Sequence, residues 1–440
     1  MPDSQGPSPQ VTGERVAILC GGGPAPGINS VIGAATIRAI VSGVHVVGIR
    51  DGFKWLMQDD TDHAVSLSID DVSRIHFTGG SYLGISRANP TRDPRQLEAV
   101  VHSLGELGVD KLITIGGDDT AFSAMRVAAH AQGRLRVAHV PKTIDNDLDL
   151  PHGIPTFGFQ TARHVGVDLV KNLMVDARTT GRWYLIVAMG RKAGHLALGI
   201  GKAAGATLTI IPEEFGSGRV RLDHVIDVLL GAIIKRKSLG RDDGTAVLAE
   251  GLVEQLDPDD LAAFGELERD EHDHIRLAEV NLADVIKVRL RQQLAHLGLS
   301  TGVVTKDIGY ELRCADPIPY DLEYARDLGY CAAQYLLDGG TDAMVMMVDG
   351  HFRPQPFSEM LDPSTGRTRV RLLDVASEQY VIARRYMVRL RPEDFSEAEA
   401  LAALARVIQV TPEQFRDRFG YLIGPHATPE SHPLVLDAAD

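Results

Sequence analysis

Seven consecutive residues, Pro141-Lys142-Thr143-Ile144-Asp145-Asn146-Asp147, place two carboxylates, a carboxamide, a hydroxyl and an ammonium together. Thr143, Asp145 and Asp147 alternate, so an extended segment would present them on one face. Two anions on one face call for a divalent cation such as Mg²⁺, a substrate hydroxyl, or both. Lys142 beside them suits a phosphate. The apolar run Leu135 to Val140 precedes the segment and predicts a strand. The polar group would then sit at a strand's C-terminal end, where open α/β sheets place their ligands.

Other segments carry compatible chemistry. Gly21-Gly22-Gly23-Pro24-Ala25-Pro26-Gly27 joins an apolar strand, Arg15 to Cys20, to a helical stretch from Asn29. Backbone N–H groups at such a turn attract phosphate, and the same residues also suit a plain structural turn. Gly116-Gly117-Asp118-Asp119-Thr120 repeats the arrangement with acids at the helix start; Asp118 suits Mg²⁺, and Asp or Thr equally suits an N-cap. The glycine-rich stretch from His76 to Pro90 contains Arg87, a cation fit to stabilise charge on a transferred group or to stand on the surface. Met189-Gly190-Arg191-Lys192-Ala193-Gly194-His195 is a third strand-to-helix turn, and Tyr310-Glu311-Leu312-Arg313 adds another cation.

The elements that must hold these residues alternate along the chain. Strands are expected at Val44 to Ile49, Lys111 to Ile115, Trp183 to Ala188, Ala206 to Ile211, Thr245 to Ala249 and Ala343 to Val348. Helices are expected at Asn29 to Ser42, Leu97 to Leu107, Ala121 to His130, Thr161 to Asp176, Arg191 to Ala204, Arg221 to Lys237, Asp284 to Leu297 and Leu322 to Leu337. The order predicts an α/β chain of two Rossmann-like parallel-sheet domains with helices on both faces. The N-terminal residues 1–12 read as a disordered tail, Asp257 to Asp273 as a solvated acidic segment, and the stretch after Arg391 as one helix followed by loose structure.

At 440 residues the chain can bury a large core, and its formal net charge of −14 argues against nucleic acid or an anionic membrane as partner. No apolar stretch approaches the roughly 18 residues of a membrane span. Three widely spaced cysteines, Cys20, Cys314 and Cys331, suggest reduced thiols and a cytoplasmic setting. The scattered histidines lack zinc spacing, and the first turn departs from the GxGxxG of a dinucleotide-binding dehydrogenase.

In their order, GGGPAPGIN, GGSYLGISR, GGDDT, PKTIDND, TFGFQTA, MGRKAGH and GYELR resemble the phosphofructokinases, from Arg15 to about Gly340. The resemblance implies a site. Asp145 corresponds to the general base that takes the proton of the sugar 1-hydroxyl, with Thr143 and Asp147 beside it. Asp118 corresponds to the Mg²⁺-associated aspartate, and Arg87 to the arginine bridging donor and acceptor. Gly22, Gly117, Asp119, Thr120 and Lys142 fall at the donor. Met189, Gly190, Arg191 and Glu250 correspond to sugar-binding residues. Tyr310 stands where the ATP enzymes have a histidine, and Arg313 aligns with an arginine that binds the 6-phosphate. Arg182 aligns with an arginine that crosses a subunit interface, implying a homodimer or homotetramer; Lys306 would supply a further cation, at a spacing unlike that of the ATP enzymes.

Donor choice turns on two positions in this comparison. The ATP enzymes carry Gly where Asp119 and Lys142 stand; the pyrophosphate-dependent members look like this chain. A carboxylate at Asp119 would repel the α-phosphate of ATP, and Lys142 would balance pyrophosphate. The expectation is Mg²⁺-dependent, reversible transfer from pyrophosphate to fructose 6-phosphate. An ATP donor, a sedoheptulose 7-phosphate acceptor, and a non-catalytic sugar-phosphate-binding subunit are the alternatives; intact Asp118, Asp145 and Asp147 speak against the last. The implied division is a donor domain at 13–158, completed by about 312–350, a sugar domain at 159–311, and a C-terminal extension at 351–440.

Overall fold

A computed structural model describes residues 13–151, 153–262, 268, 275–277, 280–364 and 368–423. The expected N-terminal tail and most of the acidic segment lie outside these residues. Twelve strands occur among those described: β1 (Arg15–Cys20), β2 (His45–Ile49), β3 (Ala64–Leu67), β4 (Lys111–Gly116), β5 (Arg136–Thr143), β6 (Phe157–Gly158), β7 (Arg182–Ala188), β8 (Leu208–Ile210), β9 (Gly244–Ala249), β10 (Gly302–Ile308), β11 (Ala343–Val348) and β12 (His351–Pro356). The chain forms two compact units. The first comprises residues 1–162, 270–274 and 310–371; the second comprises 163–269, 275–309 and 372–440.

The first unit is built on a sheet of order β12-β11-β5-β4-β1-β2-β3, with β6 paired to β5. Its interior pairs are parallel, and its edges, β2–β3 and β11–β12, are antiparallel. Alternation along β1 serves both faces. Val16, Ile18 and Cys20 pack with Val31 and Ile32 of the helix Ile28–Val41 and with Leu328 of the helix Pro319–Leu337. Ala17 and Leu19 pack with Val100 of the helix Pro94–Glu106 and Val127 of the helix Asp118–Ala131. A strand covered on both faces has no polar side to spare, which is why β1 and β4 read as continuous apolar runs.

The chain leaves β1 toward β2 on one side and returns as β4 on the other. The C-terminal ends of β1, β4 and β5 are consecutive neighbours: Cys20 pairs with Ile115 and Gly116 with Pro141. Three polar turns distant in sequence thereby meet at one sheet edge, where the strand order reverses.

The second unit holds a parallel sheet of order β10-β7-β9-β8. Its helices include Phe159–Thr180, which begins in the first unit, as well as His195–Ala204, Leu222–Ser238 and Leu282–His296. No described helix is long and apolar enough to cross a membrane.

Two expectations need correction. The stretch 351–440 is not one extension: β12 completes the first sheet, whereas residues from 372 cluster with the second unit. Among the described residues after Arg391 there are three α-helices, Pro392–Ser396, Ala398–Val407 and Pro412–Phe419, rather than one. Thr411 caps the last through a reciprocal bond with Gln414, and Phe395, Phe415 and Phe419 bury its inner face. Short helices of this kind are held by packing, which local propensity does not record.

Candidate active site

The segment Pro141–Asp147 is not a single extended face. β5 continues through Thr143 and the chain then turns, with Asn146 in the left-handed region at φ 59°. Asn suits this conformation because its short polar side chain bonds locally. Asn146 Oδ1 accepts from the Thr156 N–H at 3.0 Å, and the Thr156 hydroxyl donates to the Thr143 carbonyl at 2.6 Å. The Asp145 N–H donates to Thr143 Oγ1 at 3.0 Å. A loop, rather than the pleat, therefore sets the two carboxylates. Thr143 and Asp147 are buried while Asp145 is half-buried.

Lys142 is 4% exposed. Its ammonium donates to the Gly23 carbonyl at 2.5 Å, tying the end of β5 to the turn after β1. Gly22 in that turn has φ 87°, and a Cβ there would stand 3.3 Å from Lys142 Nζ, so the backbone comes this close only without a side chain. The Gly22 N–H donates to the Ser86 carbonyl at 2.8 Å, which brings the loop bearing Arg87 alongside. Gly116 and Gly117 lead into the helix Asp118–Ala131, with Asp118 and Asp119 in its first turn. The buried Thr120 fills the space that a Cβ on Gly21 or Gly116 would need.

His139 supports the turn after β4 from below. Its Nε2 lies 3.1 Å from the Gly116 carbonyl, and its Nδ1 lies 2.8 Å from Thr114 Oγ1. Only a protonated Nε2 can donate to a carbonyl, so in the neutral ring the proton sits on Nε2 and Nδ1 accepts from Thr114. Burial drives its pKa down to about 3, so it stays neutral at physiological pH.

Arg313 belongs to the first unit, as expected, and Tyr310 joins it there rather than falling in the second unit, contrary to the boundary expected at 311. The Arg313 guanidinium lies over the Tyr310 ring, 4.5 Å from its centroid. Its Nη1 would be 3.1 Å from a Cβ on Gly23. Burial, and then the charge of Arg87, hold its pKa below the ordinary arginine value, while Asp145 acts in the opposite sense. Arg87, Arg313 and Asp145 therefore share one electrostatic environment. Two guanidiniums close enough to repel each other, one of them beside Gly23, have the charge to attract a polyanion.

The second unit has its own polar cluster. Register partners Ala188 and Ala249 end β7 and β9, so Met189-Gly190-Arg191 and Glu250 emerge side by side. One Glu250 oxygen accepts from the Gly190 N–H at 3.1 Å and the Arg191 N–H at 2.9 Å. This carboxylate, 5% exposed, shapes a turn in which Gly190 has φ 155° and Arg191 φ 49°. The helix starts at His195, four residues later than expected, because this turn occupies Arg191 to Gly194. Met189 is held through its N–H to the Ile308 carbonyl at 3.1 Å. Lys306 is exposed on β10, paired with Ile186.

Arg182 is not part of this cluster within the chain. It opens β7, whereas Met189 follows the strand's end, a strand length of about 20 Å away at ~3.3 Å per residue. Its Nε donates to Thr180 Oγ1 at 2.6 Å.

Sequence reasoning missed the supporting residues Ser86, His139, Thr156 and Glu213. Glu213 accepts the Gly194 N–H at 2.8 Å and the Leu373 N–H at 3.0 Å, and burial raises its pKa. Proline followed by two acids after β8 was the one available signal for it. The other three act through backbone carbonyls and N–H groups that leave no pattern in side-chain types. Among the described residues, no three His, Cys, Asp or Glu side chains cluster as a metal cage.

The phosphofructokinase family profile matches residues 15–336. A pyrophosphate–fructose 6-phosphate 1-phosphotransferase of Thermotoga maritima is 53% identical over 411 residues, covering 92% of this chain and 98% of that protein. One of the same name from Naegleria fowleri is 49% identical, covering 93% and 95%. A crystal structure of a pyrophosphate-dependent phosphofructokinase from Nitrosospira multiformis shares the fold at TM-score 0.64 with 16% identity, covering 85% of this chain and 91% of that one.

Proposed function

Because the chain belongs to the phosphofructokinase family, we propose that it transfers a phosphoryl group from pyrophosphate to the 1-hydroxyl of fructose 6-phosphate, giving fructose 1,6-bisphosphate and phosphate. Donor and product phosphates are similar in energy, so the reaction runs in both directions, serving glycolysis or gluconeogenesis in the cytoplasm.

The first unit takes the donor. The turns at Gly22, Gly117 and Thr120 offer backbone and hydroxyl groups to pyrophosphate, and Lys142 offers charge. Asp145 accepts the proton of the attacking hydroxyl, while Thr143 and Asp147 orient it. Arg87 neutralises charge on the group in transit. The second unit takes the sugar phosphate through Met189, Gly190, Arg191 and Glu250, with Lys306 contributing charge. Arg313, beside Gly23, would bind the 6-phosphate of the acceptor, with Tyr310 packed beneath its guanidinium.

Mg²⁺ is held by one or two carboxylates with substrate phosphates and water completing its shell. Asp118, in the first turn of a helix that follows Gly116-Gly117, offers one such carboxylate. When bound, the ion would neutralise pyrophosphate, with Asp118 as its protein ligand. Arg182, a strand length from Glu250, would serve a sugar phosphate only from a second copy, which supports a homodimer or homotetramer.

The observation that carries the choice of pyrophosphate is Lys142, buried and bonded to the donor turn at Gly23. With Asp119 at the helix start it leaves a site matched to a short, highly charged donor. Initial rates with pyrophosphate and ATP, each against fructose 6-phosphate and sedoheptulose 7-phosphate, test the reading. Equal rates with ATP would overturn the donor assignment, and faster turnover of sedoheptulose 7-phosphate the acceptor assignment.

A further inference from the structure

The loop that carries Asp145 and Asp147 is gripped from behind by a residue 224 positions after Asp147. Leu148 forms an antiparallel bridge with Val370. The Arg371 N–H donates to the Asp147 carbonyl at 2.7 Å. Its guanidinium fans across the loop. Nε and Nη2 donate to the Asn146 carbonyl at 3.2 and 3.0 Å, and Nη2 also donates to Asn146 Oδ1 at 2.5 Å. Nη1 donates to the carbonyls of Leu150 at 3.2 Å and Ile154 at 2.9 Å. One side chain thus satisfies acceptors spread over nine residues, including both acceptors of the left-handed Asn146.

We propose that Arg371 is a positioning residue for phosphoryl transfer, locking Asn146 so that Asp145 and Asp147 flank it in their working orientation. The inference rests on the reading of Asp145 as the base. Arg371 lies beyond the end of the family match at residue 336, within the last stretch of the first unit. Its chemistry requires arginine. The planar fork spans several carbonyls at once, whereas a lysine ammonium is a point charge that reaches only one or two. Misplacing a catalytic group by about 1 Å costs on the order of 10²-fold in rate.

The experiment compares wild type, Arg371→Ala, Arg371→Lys and Asp145→Ser as full chains, with melting curves to confirm folding. Each is assayed with pyrophosphate and fructose 6-phosphate, with and without added guanidinium chloride at non-denaturing concentration, and with potassium chloride as the ionic control. A positioning role predicts that kcat of Arg371→Ala falls about 10²-fold, that both KM values hold within about threefold, and that guanidinium, but not potassium, restores part of kcat. Arg371→Lys should fall less, and it carries the test if the alanine variant does not fold. A folded variant with wild-type kcat, a loss confined to KM, or no response to guanidinium overturns the clamp. Asp145→Ser separates the two readings: if it retains full turnover the base assignment fails whatever Arg371 does, and if it is inactive while the Arg371 variants are normal, only the clamp fails.

Discussion

Replacing Lys142 by methionine would remove one ammonium while keeping most of the side chain's volume. The lysine is 4% exposed and its Nζ lies 2.5 Å from the Gly23 carbonyl, so the charge stands at the donor turn rather than in bulk water. A charge-assisted hydrogen bond in such a place contributes about 1.5–3 kcal/mol. At roughly 1.4 kcal/mol per decade, kcat/KM for pyrophosphate should drop about 10- to 10²-fold. The Coulomb estimate for unit charges at ~4 Å, about 4 kcal/mol at an effective dielectric near 20, bounds the effect from above. Fructose 6-phosphate should keep its KM if Lys142, bonded to the turn at Gly23, serves the donor as proposed. Replacing Asp119 and Lys142 together by glycine should weaken pyrophosphate use further and improve ATP use. Steady-state rates with each substrate varied in turn are the assay. A change under twofold for pyrophosphate, or an equal loss for both substrates, would refute the reasoning.

Asp145→Ser should lower kcat by about 10²–10⁴-fold, the usual worth of a general base, with the fold intact by circular dichroism. Glu250→Gln keeps an acceptor for Gly190 and Arg191 but removes the charge that strengthens both bonds; KM for fructose 6-phosphate should rise about 5–10-fold, for a loss of ~1 kcal/mol. Burial raises the pKa of Glu213, so the native state holds its proton more tightly than the unfolded chain and stability falls as pH rises from the ordinary carboxyl value through the raised one. Glu213→Gln removes that dependence: its melting temperature relative to wild type should be higher at neutral pH than at acid pH, and a pH-independent difference would count against it.

The strands and the polar turns that end them were legible in the sequence because their signal is local. A strand buried on both faces is largely apolar, and β1, β4 and β7 are, apart from the cation that opens each and the buried Thr114 of β4. A tight strand-to-helix turn favours glycine, and Gly22 and Gly117 stand in the turns after β1 and β4, as expected. Strands β3, β6, β10 and β12 were not legible. β10 is half exposed with polar residues at Thr305, Lys306 and Asp307, and β12 has prolines at 354 and 356, tolerable at an edge and discouraging anywhere else.

The sequence by itself determined which groups were present: two acids and a threonine beside a strand end, a lysine adjoining them, and glycine-rich turns at the ends of neighbouring strands. Tertiary structure decided how those groups are arranged. Alternation suggested a shared strand face for Thr143, Asp145 and Asp147; the left-handed Asn146, bonded to Thr156 and Arg371, replaced that face with a loop. Register between β1, β4 and β5 joined Lys142 to Gly23 across 119 positions. Residue types are written in the chain, but backbone hydrogen bonds between distant segments are made by any residue with a free N–H or carbonyl, so only the folded structure reveals them.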